Sequence, residues 1–269
     1  MIERAIYTED HAMFRESVKK MYAQELTPYV EEWETKGIVS REFWRACGNN
    51  GMLLPDIPET YGGGGLDFKF NAILLEETAL AGTTGPAFGV HNDIVAHYIN
   101  NYGSETVKQH WLPKMASGEA IGAICMSEPG TGSDLKNIRT KATPVGGGFL
   151  LNGSKTFITN GLNADVAVIA ARVGDDSGAR AISLFVCGCD QAGFIKGRKL
   201  DKVGNRSSDT AELFFSDCRV PVENRIGEEG AGFLGIMANF VSERLVLAAS
   251  CVAISQLALD QTIIQVKQR

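Results

Sequence analysis

A chain of 269 residues is long enough for one large or two medium domains with cores of their own, and its 44% hydrophobic and 22% charged content is that of an ordinary globular protein. The formal net charge of −6 gives no electrostatic basis for binding nucleic acid or an anionic membrane surface, and no nucleic-acid partner is expected. The acidic N-terminus, Met1 to Asp10, lacks both the apolar core of a signal peptide and the Arg-rich pattern of a transit peptide.

Residues 8 to about 118 read as helices. Met13, Phe14, Val18, Met21 and Tyr22 recur at helical spacing. Ser40 opens a further helix that Gly51 closes; Tyr61 to Leu66 is read as a flexible glycine connector; helices resume at Asp67 and at Ser104. No Lys or Ser/Thr follows the glycine run at the spacing of a phosphate loop. From Ile121 to about residue 225 the texture is β-rich, with apolar runs at Phe149–Asn152, Val166–Ala171, Ala181–Cys187 and Thr210–Phe215 between turns. That spacing predicts an antiparallel sandwich or barrel. After Gly232 the period is helical again. Helices, then strands, then helix argue for separate domains, here 1–120, 121–230 and 231–269.

The six cysteines, at 47, 125, 187, 189, 218 and 251, form no Cys-x-x-Cys pair, and the four histidines are scattered, so no metal site is expected. Buried thiols in a reducing compartment, the cytoplasm or, for a processed eukaryotic form, the mitochondrial matrix, are the better reading. His91 and His97 read as structural. No uncharged apolar run of about 18 residues occurs, so no membrane span is expected.

Three segments carry chemistry. Met126-Ser-Glu-Pro-Gly-Thr-Gly-Ser-Asp134 follows the apolar run Ala120–Cys125. Its glycines let a flat or anionic ligand approach free backbone N–H groups. Asp134 reads as a helix N-cap rather than a ligand. Lys155-Thr-Phe-Ile-Thr-Asn-Gly161 sets an aromatic ring, Phe157, and a hydroxyl, Thr159, two residues apart on one face of a strand. Together the two stretches point to a flavin. Gly130-x-Gly132-x-x-Leu135 lacks the third small residue of a nicotinamide fingerprint and is not set in a βαβ unit.

From Gly230 to Leu259 the charged residues are Glu243 and Arg244 alone, which reads as a buried helix. Ile236, Phe240, Glu243, Leu247 and Ile254 fall on one stripe, so a carboxylate occupies a core position. Desolvation raises the pKa of such a group and suits it to act as a base, while a structural ion pair is the other reading.

Ser-Glu-Pro-Gly-Thr-Gly-Ser-Asp at 127–134, Asn-Gly-Ser-Lys-Thr-Phe-Ile-Thr-Asn-Gly at 152–161, Ser-Asp-Thr-Ala-Glu-Leu-Phe-Phe at 208–215 and Ser-Glu-Arg-Leu at 242–245 follow one another as in the acyl-CoA dehydrogenases. The chain resembles that family from residue 8 to 269, and within it the long-chain and isovaleryl branches. The resemblance implies a multidomain α+β protein: an N-terminal helical domain, a middle antiparallel β-domain and the start of a C-terminal helical bundle.

It implies FAD as cofactor and α,β-dehydrogenation of a fatty acyl-CoA to a trans-2-enoyl-CoA in fatty acid β-oxidation. Electrons would pass to an electron-transferring flavoprotein, and the assembly would be a homotetramer. Ile124, Met126, Ser127, Gly132 and Ser133 would lie along the flavin, with Ser127 near the ring edge and Ser133 near the pyrophosphate. Phe157, where many members have Trp, would stand against the ring, and Thr159 would bond near N5. Glu243 matches the base of the long-chain and isovaleryl branches. Ser133, Val241 and Arg244 match acyl-CoA contacts, and Arg269 matches the Arg that in the family opens an Arg-x-x-Phe-Gly segment reaching the FAD of a neighbouring subunit.

The chain stops at Arg269 in mid-helix with no stop signal, so the resemblance implies a fragment that lacks most of the C-terminal domain. The absent part would supply a backbone N–H that polarises the thioester carbonyl, a donor worth about 10²–10³ in rate. Poor solubility and weak FAD binding are expected of the chain as written. An acyl-CoA oxidase and a non-catalytic acyl-CoA-binding remnant are the alternatives.

Overall fold

The computed structural model describes residues 5–174 and 178–269. Six helices precede the sheet: α1 (Glu9–Glu25), α2 (Val30–Lys36), α3 (Arg41–Asn49), α4 (Phe68–Leu80), α5 (Ala96–Tyr102) and α6 (Glu105–Ala116). Short polar side chains set their starts. Ser40, Asp67 and Ser104 accept the backbone N–H of Phe43, Lys69 and Val107. A π-helical turn, Gly89–Val95, runs directly into α5.

The glycine run 62–65 is no flexible connector. Gly63, Gly64 and Gly65 donate to the carbonyls of Pro58, Leu54 and Ile57, and a Cβ on Gly64 would meet the Pro55 carbonyl at 2.6 Å. The glycines are there because the loop packs backbone against backbone.

Eight strands follow: β1 (Gly122–Cys125), β2 (Lys141–Val145), β3 (Gly148–Thr159), β4 (Val166–Val173), β5 (Ile182–Gly188), β6 (Phe194–Lys199), β7 (Thr210–Pro221) and β8 (Arg225–Ile226). They form one sheet in the order β6-β7-β3-β2-β4-β5-β8, with β1 paired to β4. The sheet is mixed, which corrects the antiparallel expectation. β1 and the first residues of β2 both run parallel to β4, sharing one of its edges.

Alternation along the central strands divides the interior in two. Val166, Val168, Ala170, Ile182, Leu184 and Val186 pack against the helices. Ala167, Ile169, Phe185 and Cys187 face Phe149, Leu213 and Phe215 inside the curled sheet. Five of the cysteines are buried; Cys251 is exposed, against expectation.

The last helix, α7 (Gly232–Lys267), packs on α4, the π-helical turn and β5. Only Gly232, Ile236, Asn239, Val246 and Ala253 are buried on it. The covered stripe therefore passes through Asn239 and Val246, not through Leu247, which is 65% exposed. The uncharged sequence suggested burial all round; the elements present cover one face. By length and composition alone α7 could cross a membrane, as the core helix of a globular protein also can.

Candidate active site

A cleft of about 370 Å³ opens where three parts of the chain meet. Leu75 and Thr78 of α4 with Thr84, residues 86–90 and Ile94 form one wall, Thr159, Asn205 and Ser208 from the sheet side another, and residues of α7 between Glu243 and Ile254 the third. α7 comes close because position 89 is glycine: a Cβ there would meet Val246 Cγ1 at 2.7 Å. A larger groove of about 700 Å³, lined by His110, Trp111, Lys114 and Lys196 among others, lies elsewhere and contains none of the expected site residues. The smaller cleft is the functional candidate because it joins a shifted carboxylate to an apolar lining.

Glu243 lies between Asn239 and Val246 on the covered stripe. Burial pushes its pKa above the ordinary value; a hydrogen bond from Tyr98 and the Arg244 charge oppose the rise without cancelling it. Tyr98 Oη donates to Glu243 Oε1 at 3.2 Å. The Tyr98 side chain is fully buried, and burial with the facing carboxylate raises its own pKa, so the phenol keeps its proton.

Thr159 reaches the same cleft from β3. Its position is fixed by the turn that follows: Asp209 Oδ2 accepts the N–H of Leu162 at 2.7 Å, and Asn160 N–H donates to the Asp209 carbonyl at 2.9 Å. Asn160 Nδ2 donates to the Gly122 carbonyl at 3.1 Å, tying that turn to β1. Phe157 sits at an irregularity in the β3–β7 register with φ 58°, and its ring is 70% exposed. A left-handed phenylalanine with an uncovered ring is strained backbone at a place open to a ligand.

The 126–134 loop is pinned from below. Glu128 accepts the N–H of Arg139 at 2.5 Å and of Thr140 at 2.9 Å, and Lys155 Nζ at 2.9 Å. Lys155 also donates to the Met126 carbonyl, and Thr156 N–H to the Ser127 carbonyl. The two glycine-containing motifs are thus one unit. On its outer side Gly130, Gly132 and Ser133 are exposed, and a Cβ on either glycine would meet nothing within 4 Å. Among the described residues no hydrogen bond uses the N–H of Gly132 or Ser133. Asp134 caps no backbone group; it accepts from the Asn137 side chain. Lys136 lies 5.7 Å over the Phe233 ring, so this loop reaches the start of α7.

The structure therefore brings Glu243 and Thr159 into one cleft. Ile124 and Met126 are packed half-buried against the helical core, with Ser127 beside them on the loop. Val241 and Arg244 are exposed outside the cleft lining, Arg244 over the Phe240 ring at 5.3 Å, and Arg269 is exposed at the end of α7. Sequence reasoning missed Tyr98, Asn205, Asp209 and the Glu128–Lys155 pair. The last was detectable: two opposite charges sit beside apolar strand residues in the very motifs that drew attention. Among the described residues no group of metal-ligating side chains converges.

Helical part, curled mixed sheet and packed final helix, meeting at a carboxylate-bearing cleft, define a multidomain α+β class. Two family models match the chain: acyl-CoA dehydrogenase, N-terminal domain, over residues 8–119, and acyl-CoA dehydrogenase, middle domain, over 123–218. The chain belongs to the acyl-CoA dehydrogenase family. It is 46% identical over 268 residues to the long-chain specific acyl-CoA dehydrogenase of Sus scrofa, covering 99% of this chain and 62% of that protein. It is 37% identical to the isovaleryl-CoA dehydrogenase of Solanum tuberosum, covering 98% and 65%. The chain thus spans just under two thirds of these curated relatives. The crystal structure of an acyl-CoA dehydrogenase from Geobacillus kaustophilus superposes with a TM-score of 0.96 at 45% identity, over 99% of this chain and 71% of that one. A glutaryl-CoA dehydrogenase from Mycobacterium smegmatis, in complex with FADH2, superposes with a TM-score of 0.88 at 28% identity, over 98% and 67%.

Proposed function

We propose that this chain, divided as 1–120, 121–230 and 231–269, carries the base and much of the flavin site of an FAD-dependent acyl-CoA dehydrogenase. The observation that carries the reading is that Glu243 and Thr159 line one apolar cleft from opposite elements. FAD fits the residues present. The unused N–H groups of Gly132 and Ser133 suit an anionic pyrophosphate, the bare Phe157 ring suits a flat heterocycle, and Ser127 and Thr159 offer hydroxyls. Ile124 and Met126 back that surface. Bound there, the flavin supplies the acceptor for the hydride that leaves the substrate β-carbon.

The chain's own groups do the rest. Glu243 takes the proton from the α-carbon, since its carboxylate is buried enough to be basic. The Leu75, Phe88, Val90, Ile94 and Val246 side chains hold an acyl tail and keep water from the base. A fatty acyl-CoA is the substrate class, electron-transferring flavoprotein the electron acceptor, and a homotetramer the assembly. Ser133, Val241 and Arg244 serve the acyl-CoA, and Arg269 a neighbouring subunit's cofactor. Five buried thiols suit a reducing compartment, cytoplasm or mitochondrial matrix.

The test is anaerobic bleaching of the FAD-loaded chain by saturated acyl-CoAs of graded length. Glu243→Gln is expected to bind FAD as the parent does and to bleach slower by a factor of about 10²–10⁴. Unchanged bleaching moves the base elsewhere. Acyl-CoA binding without bleaching in either protein favours the non-catalytic reading, and rapid reoxidation in air with peroxide formed favours an oxidase.

A further inference from the structure

Glu243 stands on a helix with one covered face, and a glutamate stem has several rotamers that would swing its carboxylate along that face. What fixes it comes from the other side of the cleft. Tyr98 lies on α5, directly after the π-helical turn, where the Ala96 N–H reaches back to the His91 carbonyl. A π-helical turn inserts a residue into the helical repeat and rotates everything after it. The same turn lines the cleft with Gly89, Val90 and Ile94, so it both shapes the pocket and aims Tyr98 at α7.

Among the described residues, Tyr98 is the only hydrogen-bond donor to Glu243, and it takes Oε1. Asn239, one turn earlier on the covered stripe, lies near enough to the Tyr98 hydroxyl to lower its pKa, although its buried Nδ2 makes no hydrogen bond of normal geometry. The other titratable or charged groups near the carboxylate are Arg244 on its own helix, Tyr102 beside Tyr98 at a ring distance of 6.2 Å, and Cys251 along the cleft. The sheet side offers Thr159, Asn205 and Ser208, all neutral.

We infer that Tyr98 is a positioning residue of the reaction: its hydroxyl anchors Glu243 Oε1 from the helical part and leaves Oε2 to receive the substrate proton. Tyr98 neither gains nor loses a proton in the step. A second consequence is electrostatic. A donor to the ionised carboxylate favours that form and holds back the rise that burial imposes, which keeps the base ionised near neutral pH. The inference rests on Glu243 being the base, but its first measurement does not.

The chain is labelled with glutamate carrying ¹³C at the side-chain carboxyl, and the Glu243 resonance is assigned by its loss in Glu243→Gln. Tyr98→Phe is expected to raise the Glu243 midpoint by about 0.5–1 pH unit, the worth of one hydrogen bond. A fluorinated tyrosine at position 98 keeps the shape and strengthens the donor, so it moves the midpoint down; this second variant serves if the phenylalanine does not fold. An unmoved midpoint in either overturns the inference. In the FAD-loaded chain the acid limb of the bleaching rate follows the same shift, with the substrate KM unchanged. A purely structural role instead lowers the rate equally at every pH. If Glu243→Gln bleaches normally while the resonance still shifts, the base assignment has failed and the Tyr98–Glu243 hydrogen bond stands.

Discussion

His91 shows how tightly a single side chain is specified here. Its ring is fully buried, 5.0 Å from Trp44; one nitrogen meets the Met115 carbonyl at 3.1 Å and the other accepts the Gly122 N–H at 3.1 Å. Both nitrogens are used only by the neutral tautomer with its proton on Nε2. Burial pushes the pKa down to about 4. The folded value lies below the unfolded one of about 6.5, so the stability His91 contributes is complete above pH ~6.5 and is lost as pH falls towards 4, up to about 3 kcal/mol. A long-range ¹H–¹⁵N spectrum should show this ring neutral at pH 5; a midpoint near 6.5 refutes the assignment. The sequence placed His91 correctly as structural, from its helical neighbours. It also singled out Glu243, because one carboxylate in a long apolar run is conspicuous. It did not show Tyr98, since that contact joins positions 145 apart and no local pattern encodes it.

Among elements, the 126–134 loop depends on one ion pair. Lys155 has no exposed side-chain surface and Glu128 almost none. Burial pulls the Lys155 pKa down; burial would raise Glu128, but the facing ammonium and the N–H groups of residues 139 and 140 bring it below its ordinary value. Lys155→Met leaves a buried carboxylate without its cation, and a loss of about 3–5 kcal/mol in urea unfolding is expected. Glu128→Gln combined with Lys155→Met removes both charges and should recover part of that loss. A single-variant cost below about 1 kcal/mol contradicts this account. The strings around both residues were legible as motifs; that they are fastened to each other was not. The strands that went unread share a cause. β6 and β8 lie at the ends of the sheet, and β6 carries Lys196, Arg198 and Lys199. β2 contains Pro144 but pairs with β4 only at Lys141 and Ala142, so the proline falls where that edge is open. Edge strands need no continuous apolar face, and periodicity gives no signal for them.

At the scale of the molecule, α7 is the part whose composition and environment disagree. Leu234, Val241 and Leu247 are 72%, 73% and 65% exposed, and the apolar surface continues through Leu259, Ile264 and Val266. Among the described residues nothing covers this face, and an apolar stripe along so long a helix exceeds what single monomers tolerate in water. The apolar sequence was correctly read as helix, and the elements present bury one face of it, because periodicity reports a helix's own pattern and not whether a partner surface is present. The chain as given is therefore expected to self-associate through α7, seen as concentration-dependent light scattering and strong binding of a hydrophobic dye. Leu234→Gln, Leu245→Gln and Leu259→Gln together should suppress both. All three positions lie outside the lining of the Glu243 cleft, so the Glu243 resonance should titrate as in the parent. A monodisperse monomer at micromolar concentration without dye binding would show that this face is satisfied in some other way. Persistent association in the triple variant would place the contact on the sheet edges at β6 or β8 instead.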